Sequence, residues 1–147
     1  MLPASRNFAC DLLIVDDDAG QVRLLEILLD ELGLAHRCHR AFNGDAALLF
    51  LRKAPPYQDA PRPHLILMDL NMPDMNGCEV LRRIKSDPQL ATIPVIILSS
   101  SQSSQDVGAC YDNQANAYIV KPGNFDAAMA MMQSIDRFWC GTALLCP

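Results

Sequence analysis

Nowhere in this chain does an apolar run approach the roughly 20 residues needed to cross a bilayer, which excludes a membrane-spanning helix. The opening residues, Met1-Leu2-Pro3-Ala4-Ser5-Arg6-Asn7, lack the long apolar stretch of a secretory signal, so cytoplasmic residence is expected. Positive charge is scarce. Twelve Lys and Arg stand against 17 Asp and Glu, a formal net charge of −5. That balance argues against an electrostatic hold on nucleic acid or on an anionic membrane. Six cysteines are present (Cys10, Cys38, Cys78, Cys110, Cys140, Cys146), but no Cys-x-x-Cys pair. Their scattered spacing suits reduced, mostly buried thiols rather than a disulfide framework, with Cys140 and Cys146 the pair to watch for intermolecular oxidation. Internal repeats are missing too, as is any linker long enough to divide domains.

What is present is an ordinary globular composition, 50% apolar and 20% charged over 147 residues. A chain of that length buries roughly two-thirds of its unfolded surface and needs no disulfide or metal scaffold. One compact domain is expected. Four short apolar runs stand out: Leu12-Leu13-Ile14-Val15, Leu65-Ile66-Leu67-Met68, Val95-Ile96-Ile97-Leu98 and Ala117-Tyr118-Ile119-Val120. None alternates polar with apolar residues, as expected of strands buried on both faces of a parallel sheet.

Helical period fills the intervals. Residues 20–32 carry Val22, Leu25, Ile27, Leu28 and Leu32 on one side and stop at Gly33. Asp18 and Gln21 have the spacing of a capping box, and Asn76 and Glu79 repeat it before Val80-Leu81-Arg82-Arg83-Ile84. Residues 125–138 set Phe125, Met129, Met132, Ile135 and Phe138 along a stripe that reads as core. A further strand is expected over 35–41 and a helix over 45–53, with a less periodic helix over 103–115 that contains Gly108. Strand and helix thus alternate about five times, the pattern of an α/β sheet with right-handed crossovers.

Ligands of such a sheet bind beyond the carboxyl ends of its strands. The first run ends in Asp16-Asp17-Asp18, the second in Asp69, the third in Ser99-Ser100-Ser101 and the fourth in Lys121-Pro122. Two carboxylates about 5 Å apart repel by roughly 3 kcal/mol at an effective dielectric near 20. Oxygen ligands with excess negative charge are what a hard divalent cation needs, and Mg²⁺ accepts one or two carboxylates together with phosphoryl oxygens. A single Asp at a strand end is ordinarily a solvated loop residue or a cap, and Asp18 reads as one. Compatible groups at four strand ends are the stronger signal.

Three rival readings share parts of this pattern. A Mg²⁺-dependent hydrolase with an Asp nucleophile would use the same carboxylates and lysine, but typically shows Asp-x-Asp after its first strand. A flavin-binding relative of flavodoxin needs a phosphate-cradling loop there, where this chain has three aspartates. A binding module indifferent to phosphorylation is the third.

Val15-Asp16-Asp17-Asp18, Met68-Asp69-Leu70-Asn71-Met72-Pro73-Asp74-Met75-Asn76-Gly77, Pro94-Val95-Ile96-Ile97-Leu98-Ser99 and Tyr118-Ile119-Val120-Lys121-Pro122 together resemble the receiver domain of two-component response regulators. The resemblance spans about residues 10–137. The ending, Ile135-Asp136-Arg137-Phe138-Trp139 and Leu144-Leu145-Cys146-Pro147, resembles the single-domain regulators that partner phytochrome histidine kinases.

The resemblance implies a flavodoxin-like, doubly wound (βα)5 fold with a five-stranded parallel sheet in the order 2-1-3-4-5. It implies a lead over 1–9, a receiver domain over 10–138 and a tail over 139–147 that takes part in dimer formation. Asp69 would be the phosphoacceptor. Asp17, Asp69 and the backbone carbonyl of Asn71 would hold Mg²⁺ directly, with Asp16 acting through a water. Lys121 and Ser99 would contact phosphoryl oxygens, Ser99 and Tyr118 would form the switch, and Asn71 and Ser101 would tune an intermediate phosphoryl lifetime. Pro73 and Gly77 would shape the turn after Asp69, and the Lys121-Pro122 bond would be cis. The protein would be a signalling phosphoacceptor rather than an enzyme. After Phe138 only nine residues remain, too few for a DNA-binding module. Output is therefore expected through docking, to the kinase, another protein or a second copy across the fourth helix, fifth strand, fifth helix and tail.

Overall fold

The structure is a computed structural model that describes residues 9–147; the lead expected over 1–9 lies, but for its last residue, outside the described residues. Five strands, β1 (Asp11–Val15), β2 (Arg37–Ala41), β3 (Leu65–Asp69), β4 (Val95–Ser99) and β5 (Ala117–Val120), alternate with five helices. These are α1 (Ala19–Glu31), α2 (Gly44–Leu51), α3 (Gly77–Ser86), α4 (Ser104–Asp112) and α5 (Phe125–Ile135). All strand pairs are parallel and the sheet order is β2-β1-β3-β4-β5, so the doubly wound, flavodoxin-like architecture read from the motifs is the observed one.

Every residue of β1, β3 and β4 is buried. The pleat then deals alternate side chains to two cores. Leu13, Val15, Ile66, Met68, Val95 and Ile97 pack with Leu48 of α2 and Val80, Leu81 and Ile84 of α3. Leu12, Ile14, Leu65, Leu67, Ile96 and Leu98 pack with Val22, Leu25 and Leu28 of α1 and Ala128, Met132 and Ile135 of α5. Those three apolar runs behave as expected. The fourth does not. β5 is an edge strand, half-buried along its length with Val120 38% exposed, because nothing pairs beyond it.

Helix ends differ in detail from the capping boxes expected of them. Asp18 does cap α1, accepting the Gly20 N–H at 2.9 Å, but its own N–H is taken by Asp16 Oδ1 rather than by Gln21. Asn76 caps α3 through the Glu79 N–H at 3.0 Å, while the Glu79 carboxylate turns to Arg82 and Arg83. Charge-assisted bonds to guanidinium outcompete a backbone N–H for that carboxylate. Gly33 closes α1 at φ +68°, its N–H bonded to the Asp30 carbonyl.

Two further expectations are corrected. Met132 and Ile135 are buried, but Phe125 and Phe138 at the ends of the expected stripe are exposed, since the inward face of α5 runs through Ala128, Met132 and Ile135. The Lys121-Pro122 bond is trans; proline lowers the penalty of a cis bond without imposing one. Beyond α5 the chain continues as a π-helical tail segment, Asp136–Thr142, whose Trp139 and Cys140 pack back on the α1/α5 core.

Candidate functional site

The buried runs of β1, β3 and β4 carry their last residues to one edge of the sheet. Register fixes who meets whom there. Val15 pairs with Met68, so Asp16 and Asp69 follow on adjacent strands. Asp69 pairs with Leu98, which places Ser99 one residue further out. Ser99 in turn pairs with Val120, and the Lys121 N–H donates to the Ser99 carbonyl at 2.8 Å. Asp16, Asp69 and Ser99 are buried polar residues at this edge, whereas Asp17 is exposed.

Carboxylate oxygens of Asp16, Asp17 and Asp69 lie within 4.8 Å of one another. Lys121 Nζ reaches two of them, Asp69 Oδ1 at 3.1 Å and Asp16 Oδ2 at 3.5 Å. Three carboxyl groups face one ammonium, so the cluster has an excess of acidic over basic groups. Burial, opposed by the Asp18 N–H bond, raises the Asp16 carboxyl above its ordinary range. Burial works against the Lys121 charge as well, but the bonds to Asp69 and Asp16 overcome it and lift the ammonium above its usual value. An all-oxygen donor set, partly buried and under-neutralised, fits a hard divalent cation.

Ser99 Oγ accepts the Ser101 N–H at 3.1 Å, which leaves its own O–H free to donate. Ser101 is held by its hydroxyl, which donates to Asp106 Oδ2 at 2.5 Å in the first turn of α4 and accepts the Ser103 N–H. Tyr118 is half-buried on β5; its hydroxyl donates to the Ser101 carbonyl at 2.8 Å and its N–H donates to Tyr111 Oη at 3.1 Å. Asp106 and Tyr111 were not singled out in the sequence. Only their position on α4 ties them to the strand ends.

Asn71 lies exposed in the turn after β3. That turn is closed by the Gly77 N–H, which donates to the Leu70 carbonyl at 2.8 Å. Beside the carboxylates a cavity of about 270 Å³ opens between α1 and α5, lined by Leu24, Leu25, Leu28, Ala128 and Met131, with Asp16 and Lys121 at one end.

Comparison with known proteins adds four findings. The family model of the response regulator receiver domain matches residues 12–133. Response regulator Rcp1 of Synechocystis sp. is 38% identical over 134 residues, covering 91% of this chain and 91% of Rcp1. The crystal structure of the phosphorylated cyanobacterial phytochrome response regulator RcpA superposes with a TM-score of 0.89 at 36% identity, covering 95% of this chain and 100% of that one. The Mn²⁺-bound form of Rcp1 superposes with a TM-score of 0.86 at 37% identity, over 94% of this chain and 99% of that one.

Proposed function

This chain belongs to the response regulator receiver family, and from that premise we propose that it accepts a phosphoryl group on Asp69 from a histidine kinase of the phytochrome type and signals by docking. The observation that carries this reading is Lys121 Nζ, 3.1 Å from Asp69 Oδ1 within a cluster of three carboxylates. A phosphoryl group on a kinase histidine is itself anionic, so a carboxylate nucleophile alone would repel it. Asp69 Oδ forms the new bond to phosphorus while the bond to the histidine nitrogen breaks, and that nitrogen leaves with the kinase. Lys121 exchanges its carboxylate partner for a phosphoryl oxygen, and the free O–H of Ser99 donates to another.

Asp17, Asp69 and the Asn71 carbonyl would hold Mg²⁺, with Asp16 acting through a water. When bound, the cation supplies the charge neutralisation that lets two anions meet. The resemblance to the cyanobacterial phytochrome response regulator RcpA and to Mn²⁺-bound Rcp1 supports both the partner and the divalent site. The apolar cavity between α1 and α5 adjoins Asp16 and Lys121, so the phosphodonor approaches across those two helices.

Movement of the Ser99 hydroxyl toward the phosphoryl group releases the Ser101 N–H, and Ser101 is bonded to both α4 and Tyr118. Phosphorylation would thereby bias a two-state element made of α4, β5 and α5. The protein acts as a single-domain, cytoplasmic signalling protein, and a second copy docks on that same face.

Incubation with acetyl phosphate and Mg²⁺, followed by intact-mass measurement, tests the assignment. One phosphoryl group should add to the full chain and none to Asp69→Asn. Undiminished phosphorylation of Asp69→Asn would refute it.

A further inference from the structure

At the end of β1 opposite the carboxylates, a second group of reactive side chains is closed off from solvent. Cys10 precedes β1, His36 precedes β2 and Cys140 lies on the tail segment. Their sulfur and ring-nitrogen atoms lie within 4.8 Å of one another. Cys10 and Cys140 are both buried.

Zinc would be the first thought for two thiols and an imidazole. Both ring nitrogens, however, are already engaged. Nδ1 accepts the Cys10 backbone N–H at 2.9 Å, so Nε2 carries the proton and donates it to Asp136 Oδ1 at 2.7 Å. With no nitrogen lone pair left over for a metal, the cluster is a dithiol beside an imidazole fixed in place by Asp136. Hydrogen bonds to Cys10 and Asp136, working against burial, raise His36 above its ordinary range. The two sulfurs differ. A hydrogen bond from Cys140, working against burial, holds the Cys10 thiol down to about 5, while that same bond and burial push the Cys140 thiol up. A thiolate beside a protonated thiol is the pairing that oxidation to a disulfide requires.

We propose that Cys10 and Cys140 form a redox-active dithiol that a peroxide closes into a disulfide, fastening the tail segment to the first strand. The Cys10 thiolate attacks a peroxide oxygen, the O–O bond breaks, and hydroxide leaves a sulfenic acid on Cys10. The Cys140 sulfur then attacks the Cys10 sulfur and the S–O bond breaks. Water departs, and the proton from Cys140 completes it. The net change is two thiols and one hydrogen peroxide giving one disulfide and two waters, with sulfur oxidised and peroxide reduced. Access comes through local opening of the tail segment, a single short helical stretch whose opening costs less than global unfolding. Because the tail continues α5, the bond ties the oxidation state of the chain to the face through which α5 docks.

The full chain is exposed to hydrogen peroxide, alkylated, digested without reductant and mapped by mass spectrometry. Cys78→Ser is introduced in every arm, since Cys78 and Cys110 form another close pair, with sulfurs 3.4 Å apart. A Cys10–Cys140 linked peptide, reversed by dithiothreitol, is expected. Cys140→Ser should instead leave a Cys10 sulfenic acid that dimedone traps. Amide exchange over 136–142 should slow by about tenfold on oxidation, and not in Cys10→Ser. Circular dichroism of the untreated variants verifies that they fold. The proposal is overturned if Cys10 stays alkylatable at peroxide levels that oxidise exposed Cys146, if Cys140 links to Cys146 instead, or if the purified chain carries one equivalent of zinc lost in Cys10→Ser.

Discussion

Gly77 begins α3 directly behind Asp69, and a Cβ there would lie 2.5 Å from the Asp69 carbonyl oxygen and 2.9 Å from Leu70 Cα. Both neighbours are backbone, so neither can rotate away. Gly77→Ala should therefore cost about 1–3 kcal/mol through overpacking and shift Asp69 away from Lys121. Urea titration would measure the first effect and the acetyl phosphate assay the second; a variant as stable and as readily phosphorylated as the parent would show that the turn yields. Asn71 and Ser101 sit two residues beyond Asp69 and Ser99, but the hydroxyl of Ser101 is engaged by Asp106. Asn71→Ala and Ser101→Ala should each change the rate at which phosphorylated protein loses its phosphate. Loss followed by intact mass over time tests this, and unchanged rates in both variants would remove these residues from control of lifetime.

Elements are pinned as well as packed. Asp11 on β1 is paired in register with Arg37 on β2, and the guanidinium donates to both carboxylate oxygens, at 2.8 and 2.9 Å. His39 Nε2 is 3.0 Å from the same carboxylate. The Arg37 bonds, opposed by burial and helped by His39, hold the Asp11 carboxyl well below its ordinary range. A group whose folded pKa is depressed adds stability above its unfolded value, here 3.8, and loses it as pH falls from there through the folded pKa. Unfolding of the parent should thus become easier below about pH 4, and the Asp11→Asn variant should show a shallower dependence over that window. Identical slopes in thermal melts of the two proteins would contradict the assignment. At the far edge of the sheet the linkage is of another kind. Ser101 is bonded to α4 and Tyr118 at once, so β4, α4 and β5 meet at one residue.

Among the described residues, five of the seven exposed large apolar residues lie on the α4, β5 and α5 side and the tail; the other two, Phe42 and Leu49, lie at the β2/α2 edge. Tyr111, Val120, Phe125, Phe138 and Leu144 are all exposed, Leu144 at 75%. The tail divides its residues between two duties: Trp139 and Cys140 pack inward, while Phe138 and Leu144 remain outside. Exposed apolar surface of this kind favours association. Light scattering over a range of protein concentrations should find the full chain dimeric. Val120→Lys combined with Leu144→Lys should shift it to monomer without loss of phosphorylation. A parent chain that stays monomeric throughout that range would exclude the face as a self-docking surface.

The central strands, the helices between them and the groups at the strand ends were all legible in the sequence. Burial on both faces writes a continuous apolar run, and a parallel sheet delivers whatever follows each run to a common edge. Both effects are local, so Asp16, Asp17, Asp69, Ser99 and Lys121 could be picked out before any coordinates. Composition did not mark which apolar run became a half-exposed edge strand, because that depends on sheet order, which the family motifs and not the apolar pattern carried. Tertiary structure alone turned Phe125 and Phe138 outward, through the face that α5 presents to the core. It also brought Cys140 to Cys10 rather than to Cys146, and His36 to Asp136 across 100 residues of chain. Contacts at such separation are set by how crossovers return the chain to the sheet, and no periodicity records them.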